Sequence, residues 1–575
     1  MLFRECAEVF EKLESISKRL EMTSILADFF RKVPSNEIQP LIYMIQGILS
    51  PPFLSVELGL GERFAISAIA SSAGYPIKEV EKNFAKSGDL GKTAESLLEK
   101  KKQLSLSSRK LDLIYLYNSL VKIAKTSGAG SQELKIKLLT ELLNNSTPLE
   151  SRFIIRFVIG ELRLGVGDPT ILDALSVLKA GDKSLREELD RAYNICADLG
   201  LVAKIFMESS EQIKHFKVKP FNPLIPALAE RLSNSEEIIN KIGKCAVENK
   251  FDGLRLQCHK KGELVEIYSR KLEKMTHMFP DLVKEIKSLK QDEIIFEGEA
   301  LAFNKKQDRY FSFQETIRRR RKHGIEESSK EFPLNLFVFD IFYIDGRDLT
   351  KESYTQRRKY LEQIFPTTLL KLSENKIVST AEEMEILFQN AIKENLEGIM
   401  AKDLNSPYTA GKRKFAWIKL KKSYGKSVDT IDAVIVGYYL GKGSRAKFKF
   451  GGVLTAIHNP DSGKFETIAN IGSGFTEEEM NNFEKILNKI KSKKPSKNLI
   501  FKTEPDFWVK PKYVVEIAFD EITQSPTHTC GMENDKGYAL RFPRIVKLRE
   551  DRSENEVTTT KEIIDMYWLQ FKNKK

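Results

Sequence analysis

The chain has 575 residues, with 93 lysines and arginines against 80 aspartates and glutamates, for a formal charge of +13. This is several times a usual domain of about 100 to 200 residues, so a single small binding module is excluded and two to four separately cored units are expected. The positive excess suits DNA or RNA, but solvated lysine faces account for it equally well, so charge alone leaves the partner open.

From Phe3 to about Lys214 apolar residues recur at helical spacing, as in Leu113, Leu116, Tyr117 and Leu120, and this third reads as all helix. Pro220, Pro223 and Pro226 in KPFNPLIP then fix backbone angles and remove amide donors, which predicts a linker or domain entry. Beyond Cys245 the pattern alternates: Leu254, Leu256 and Cys258, a turn at Lys260-Lys261-Gly262-Glu263, then Leu264, Val265 and Ile267 predict a hairpin. Further strands are expected over Glu293 to Phe303 and Leu334 to Tyr343, the latter closed by Asp345-Gly346, with a helix from Ala381 towards Asn395 capped by Thr380. After Lys426 the strands Ala433 to Leu440, Phe450 to Ile457 and Phe465 to Ile471 suit a barrel of about five strands, followed by a helix near Lys561 to Phe571.

Five scattered cysteines (Cys6, Cys196, Cys245, Cys258 and Cys530) form no CxxC pair and predict neither a zinc site nor a disulfide framework. The charged start lacks a signal-peptide core, and no run approaches a membrane span, so a soluble cytoplasmic protein with no membrane partner is expected.

The chemistry begins at Lys250-Phe251-Asp252-Gly253-Leu254-Arg255, a KxDGxR sequence. A lysine amine attacks phosphorus only when unprotonated, and its free pKa of about 10.4 must be lowered by cations or desolvation. Arg255, Arg270, Lys419 and Lys421 are candidates both for lowering it and for holding a triphosphate. No GxxxxGK[ST] is present, which disfavours a P-loop ATPase. Further groups follow in order: Ser269-Arg270; Glu297 and Glu299 on one strand face; Phe339-Asp340 in an apolar strand; Glu397-Gly398-Ile399-Met400-Ala401-Lys402; and Trp417-Ile418-Lys419-Leu420-Lys421, whose lysines share a strand face. Glu397 is a hard carboxylate suited to Mg²⁺, and Lys402 is suited to facing a phosphate. Each has a plain structural alternative: an exposed charge, a core phenylalanine, or a glycine ending a helix.

Together these motifs resemble the covalent nucleotidyltransferases, specifically the ATP-dependent DNA ligases of archaeal replicative type, over essentially the whole chain. The resemblance implies an all-α N-terminal DNA-binding domain (1–214), an α+β adenylation domain (215–424) and a C-terminal OB-fold β-barrel with its final helix (425–575). It makes Lys250 the nucleophile, Glu248 the residue that selects adenine, Phe339 the ring that stacks on it, and Arg255, Arg270, Arg413, Lys419 and Lys421 nucleotide contacts. Glu299 reaches the ribose and, with Glu397, the metal. Arg541, in Arg541-Phe542-Pro543-Arg544, is assigned to orienting pyrophosphate when the barrel closes, with Arg544 or Lys547 as lesser candidates.

Implied cofactors are ATP and Mg²⁺ or Mn²⁺. The implied partner is nicked double-stranded DNA, sealed by a monomer in replication, repair and recombination. Glycine turns in Arg152 to Thr170 resemble the family's phosphate-contacting segment, while basic runs at Lys100 to Lys102, Arg318 to Lys322 and Lys491 to Lys494 supply either solvated faces or general attraction. The family's sliding-clamp peptide carries paired aromatics, which Gln103-Leu104-Ser105-Leu106-Ser107-Ser108 lacks, so clamp binding there is expected to be weak. RNA ligases and capping guanylyltransferases share the KxDG core but do not predict the large helical region, and a non-catalytic DNA-binding relative of the ligases is disfavoured by the presence of all the acidic and basic motif residues.

Overall fold

The computed structural model describes residues 1–575 except 17, 102–109, 305–308, 312–315, 322–323, 395, 422–428, 442–449, 473–474, 520 and 573–575. The candidate clamp loop, Gln103 to Ser108, therefore lies outside the described residues.

Among the described residues thirteen α-helices run from Phe3–Ser15 to Ser210–Lys214 and close over one apolar core that includes Phe10, Phe30, Phe153 and Phe206. Helix Pro148–Val158 opens with a Thr147/Glu150 capping box, which satisfies amides at both ends of its first turn. Its Arg152 and Arg156 are not surface cations. Both are buried, Arg156 reaching Glu14 at 2.8 Å and Asp89 at 2.6 Å, and Arg152 reaching Glu11 at 2.6 Å and Glu95 at 3.1 Å. The pair cross-links three helices, and in the turn beyond them Gly160 (φ +70°) and Gly165 (φ +72°) occupy left-handed backbone.

The proline cluster leads out of the helices to a short strand, Leu228–Arg231. Two sheets follow. A five-stranded sheet has the order Leu228–Arg231, Arg413–Lys421, Gly398–Asp403, Cys245–Lys250, Asn375–Val378. A seven-stranded sheet runs from Leu264–Ser269 through Leu254–Lys261, Glu293–Asn304 and Leu334–Ile344 to Arg347–Asp348, with two short strands off this path. The expected hairpin pairs Leu256 with Ser269 and Lys261 with Leu264. The chain passes from the first sheet to the second through Phe251-Asp252-Gly253, directly after Lys250. A Cβ on Gly253 would stand 2.4 Å from the Ala300 carbonyl oxygen, so the close approach of the sheets requires glycine there.

The C-terminal region is more elaborate than five strands. Strand Asp429–Tyr439 pairs with Gly452–Asn459 on one side and with Phe507–Val509 and Val514–Phe519 on the other, curving an eight-stranded sheet beside a separate three-stranded one. Several of these strands have only two or three residues, too few for alternation to register. Helix Glu477–Asn488 is inserted, and the final helix spans Thr560–Lys572. Among the described residues no helix is long and apolar enough to cross a membrane, and all five cysteines are buried thiols.

Candidate active site

Lys250 ends its strand where the two sheets meet. Gly398 faces it across one pairing and Lys421 across the next, which places Glu397, one residue before Gly398, between the two amines. Glu397 pairs with Lys250 through one oxygen and with Lys421 through the other, the latter at 2.5 Å. Burial holds the Lys250 amine below the ordinary lysine range; Glu397 opposes this and Lys421 reinforces it. Burial works against the charge on Glu397, yet Lys250 and Lys421 hold its carboxyl well below the usual range. Glu299 accepts from the Gly253 amide at 3.1 Å, and burial pushes its carboxyl up to about 7.

One cavity extends from Lys250. Glu248, Phe339, Met400 and Trp417 line an apolar slot in it with a carboxylate at its edge, the Phe339 and Trp417 rings meeting edge-on at 5.9 Å. Arg270, Arg413, Lys419, Arg549 and Arg552 line the same cavity, Lys419 lying across the sheet from Met400. Lys419 makes no hydrogen bond or ion pair among the described residues, and burial together with Arg413, Lys421 and Arg552 holds its pKa well below the lysine range. A half-buried cation crowded by three others, with Glu562 the opposing carboxylate, suits a further anion.

The cavity brings together Glu248, Lys250, Arg255, Arg270, Glu299, Phe339, Glu397, Arg413 and Lys419 of the sequence candidates, with Lys421 joined through Glu397. Two placements differ from expectation. Arg255 is committed to Glu297 at 2.7 Å and to the Ala227 carbonyl at 2.9 Å, with its guanidinium 5.5 Å from the Phe339 ring centre, so it braces the slot. Lys402 lines the cavity too, but its ammonium is already engaged, 2.8 Å from Glu248 and donating to the Phe339 carbonyl at 3.0 Å.

Arg541 is not in the cavity. It ends strand Lys536–Arg541, where pairing sets it opposite Glu521; the two form an ion pair and Arg541 is more than half exposed. The turn at Phe542 (φ +51°) then leads into strand Arg544–Arg549, whose far end reaches the cavity. Arg549, Asp551, Arg552 and Glu556 line it, and sequence reasoning passed over all four; the signal was the charged run Arg549-Glu550-Asp551-Arg552 closing a strand. Lys547 joins Asp252 of the lysine motif at 2.5 Å, Arg270 pairs with Glu556 at 2.7 Å, and Arg413 pairs with Glu562 of the final helix.

A second cleft meets the first from the other side, sharing Asn249, Phe251, Asp252 and Glu397. Phe251 stacks on Phe337 at 4.2 Å, Tyr310 stands edge-on to Phe337, and Arg309, Arg358 and Lys371 lie in its walls.

The sequence matches three family descriptions in chain order: "DNA ligase N terminus" over residues 2–176, "ATP dependent DNA ligase domain" over 226–421 and "ATP dependent DNA ligase C terminal region" over 446–552. The chain belongs to the ATP-dependent DNA ligase family. It is 46% identical over its whole length to a probable DNA ligase of Dictyoglomus thermophilum, covering 99% of that protein. Over its whole length it is also 40% identical to a DNA ligase of Acidianus ambivalens and 42% identical to one of Saccharolobus shibatae, covering 98% of each. As a member of this family the chain is an ATP-dependent DNA ligase that seals nicks in duplex DNA.

For a ligase the donor set suits a metal held by substrate. No cluster of three or more acidic, histidine or cysteine side chains that could hold a metal ion occurs among the described residues. Glu299 and Glu397 flank Lys250 singly, a set that fits Mg²⁺ bound through one or two carboxylates, water and substrate phosphates.

Proposed function

We propose that Lys250 is the nucleophile of nick sealing and that the two clefts meeting at it serve the two substrates. The observation that carries this reading is the setting of Lys250: a half-buried amine with a lowered pKa, paired with a carboxylate in a cavity also lined by cations.

The purine of ATP lies in the slot, its ring on Phe339 and its edge at Glu248, and the triphosphate extends towards Arg270, Arg413, Lys419, Arg549 and Arg552. Lys250 Nζ forms a bond to the α-phosphorus as the bond to the β-phosphate oxygen breaks; one of the amine's two protons passes to Glu397, the other stays on the phosphoramidate nitrogen, and pyrophosphate leaves against the cations. A 5′-phosphate oxygen of the nick, arriving through the second cleft, then attacks the lysyl-adenylate phosphorus and displaces Lys250. The 3′-hydroxyl oxygen attacks the resulting 5′-phosphorus and releases AMP. Mg²⁺ or Mn²⁺ held through Glu299, Glu397 and phosphate oxygens would neutralise charge and orient the attacking groups.

In this reading residues 1–214, 215–424 and 425–575 act as DNA-binding, adenylation and OB-fold units of a monomer working on chromosomal DNA in the cytoplasm. Arg541, beside the exposed Phe542 ring, serves a state other than the one described. A sliding clamp is at most a weak partner through residues 103–108; a Gln103→Ala, Leu106→Ala protein is expected to co-migrate with it as the wild type does.

Incubation with a divalent metal and α-labelled ATP tests the assignment. Wild type takes up covalent label and Lys250→Ala takes up none; equal labelling of the two proteins overturns it.

A further inference from the structure

The base-end carboxylate is held on three sides. Glu248 is buried on strand Cys245–Lys250, with Asn375 opposite it on one neighbouring strand and Met400 on the other. Its Oε1 accepts from the Tyr354 hydroxyl at 2.7 Å and is 2.8 Å from the Lys402 ammonium; its Oε2 accepts from the Ser373 hydroxyl at 3.2 Å. Each donor is itself fixed. The Asn375 amide donates to the Tyr354 hydroxyl at 3.2 Å, Lys402 donates to the Phe339 carbonyl at 3.0 Å, and Arg358 donates to the Ser373 carbonyl at 2.6 Å.

A carboxylate has about four lone-pair sites and no proton to give. Three are taken here, so Glu248 cannot turn, and one lone pair is left to a carboxylate that lines the same cavity as Phe339. Adenine and guanine differ at the edge that meets such an acceptor: adenine carries an amine that donates, while guanine places a carbonyl oxygen there, so two acceptors would face each other. A buried polar site rejects the mismatched partner because an unpaired group is costly to bury.

We propose that Tyr354, Ser373 and Lys402 are specificity-determining positioning residues, fixing Glu248 so that its one available lone pair reads the amine of adenine and excludes guanine nucleotides. Lys402 also ties this setting to the stacking strand, since the carbonyl it holds belongs to Phe339. The inference rests on the proposed contact between Glu248 and the base.

The test is the rate of covalent labelling of the full chain by α-labelled ATP and GTP, as kcat/KM for each. It is run on wild type, Glu248→Gln, and the double variant Tyr354→Phe, Ser373→Ala, which keeps Lys402 against the carboxylate. The double variant is expected to lose at least about tenfold of the ATP to GTP preference, through a raised KM for ATP at unchanged kcat. Glu248→Gln is expected to lose more, and Ser373→Thr alone, which keeps the hydroxyl, is expected to retain wild-type preference. If Glu248→Gln narrows the preference and the double variant does not, the positioning role is overturned while the base contact stands. If neither narrows it, the base contact itself fails. An equal loss with ATP and GTP in the double variant marks a merely structural role and also overturns the proposal.

Discussion

In the proposed reaction Lys250 must lose a proton before its nitrogen can attack phosphorus, and its neighbours bear on when that happens. Burial and Lys421 favour the neutral amine, and Glu397 favours the ammonium. The single-turnover rate of self-adenylylation is therefore expected to rise with pH and level off below the free-lysine value of about 10.4. Lys421→Ala removes a cation that lowers the Lys250 pKa, so the rising limb should move to higher pH; a limb that stays put or moves to lower pH contradicts this. Glu299 gives a stability prediction of opposite form. Its folded pKa of about 7 lies above the ordinary 4.5, so the folded protein holds the proton more tightly, and stability is lost as pH rises through that window. Glu299→Gln should recover up to about 3 kcal/mol at pH 8 and nothing at pH 4, as read by chemical denaturation. Residue types and spacing made Lys250, Glu299, Glu397 and Lys419 legible. They did not reveal that Arg255 and Lys402 face inward partners, because a cation in a strand looks the same from sequence whether it meets a phosphate or a buried glutamate.

The elements that aim these groups were legible wherever a long pattern or a cap marked them. The Thr380/Glu383 capping box opens helix Ala381–Lys393 where Thr380 predicted a start, and Asp345-Gly346 closes strand Leu334–Ile344 with both residues at positive φ. Helix Glu477–Asn488 is absent from the sequence expectation although it was legible there: Thr476 and Glu479 form a capping box, and Met480, Phe483 and Leu487 share one helical face. Two glycines separate backbone preference from close packing. At Gly398 (φ +146°) a Cβ would stand 2.0 Å from the Leu420 carbonyl oxygen, whereas at Gly243 (φ +65°) nothing lies within 4 Å. Gly243→Ala is expected to cost about 1 kcal/mol, and Gly398→Ala about 3 kcal/mol or more with loss of self-adenylylation, because the strand carrying Glu397 must shift. Equal costs in denaturation experiments would remove the steric explanation.

Across the whole molecule, the C-terminal region touches both others. It meets the central sheets through Lys547–Asp252 and Arg270–Glu556, and the helical region through Lys510–Glu161 at 3.2 Å and through Lys497, which donates to the Leu13 carbonyl at 3.2 Å and lies 3.4 Å from that of Leu164. Lys493, in a run that read as a solvated face, instead donates to the Ala85 carbonyl at 3.2 Å. Within the Arg318 to Lys322 run, Arg319 is likewise buried against Asp281. The contacts between regions join residues hundreds of positions apart and leave no local pattern, which is why Arg549 and Arg552 escaped the sequence reading. They line the nucleotide cavity only while the C-terminal region rests on it. Arg549→Ala is therefore expected to slow self-adenylylation by about tenfold or more, while sealing of a nick already carrying a 5′-adenylate changes much less. Equal losses in both assays would place Arg549 in every step. The most direct measurement of the whole account isolates the labelled enzyme, maps the AMP by peptide mass spectrometry, and chases with a nicked duplex in the absence of free ATP. The account predicts AMP on Lys250 alone, leaving the protein as one nick is sealed per AMP released. AMP on another residue, or AMP that stays on Lys250 while nicks are sealed, would contradict it.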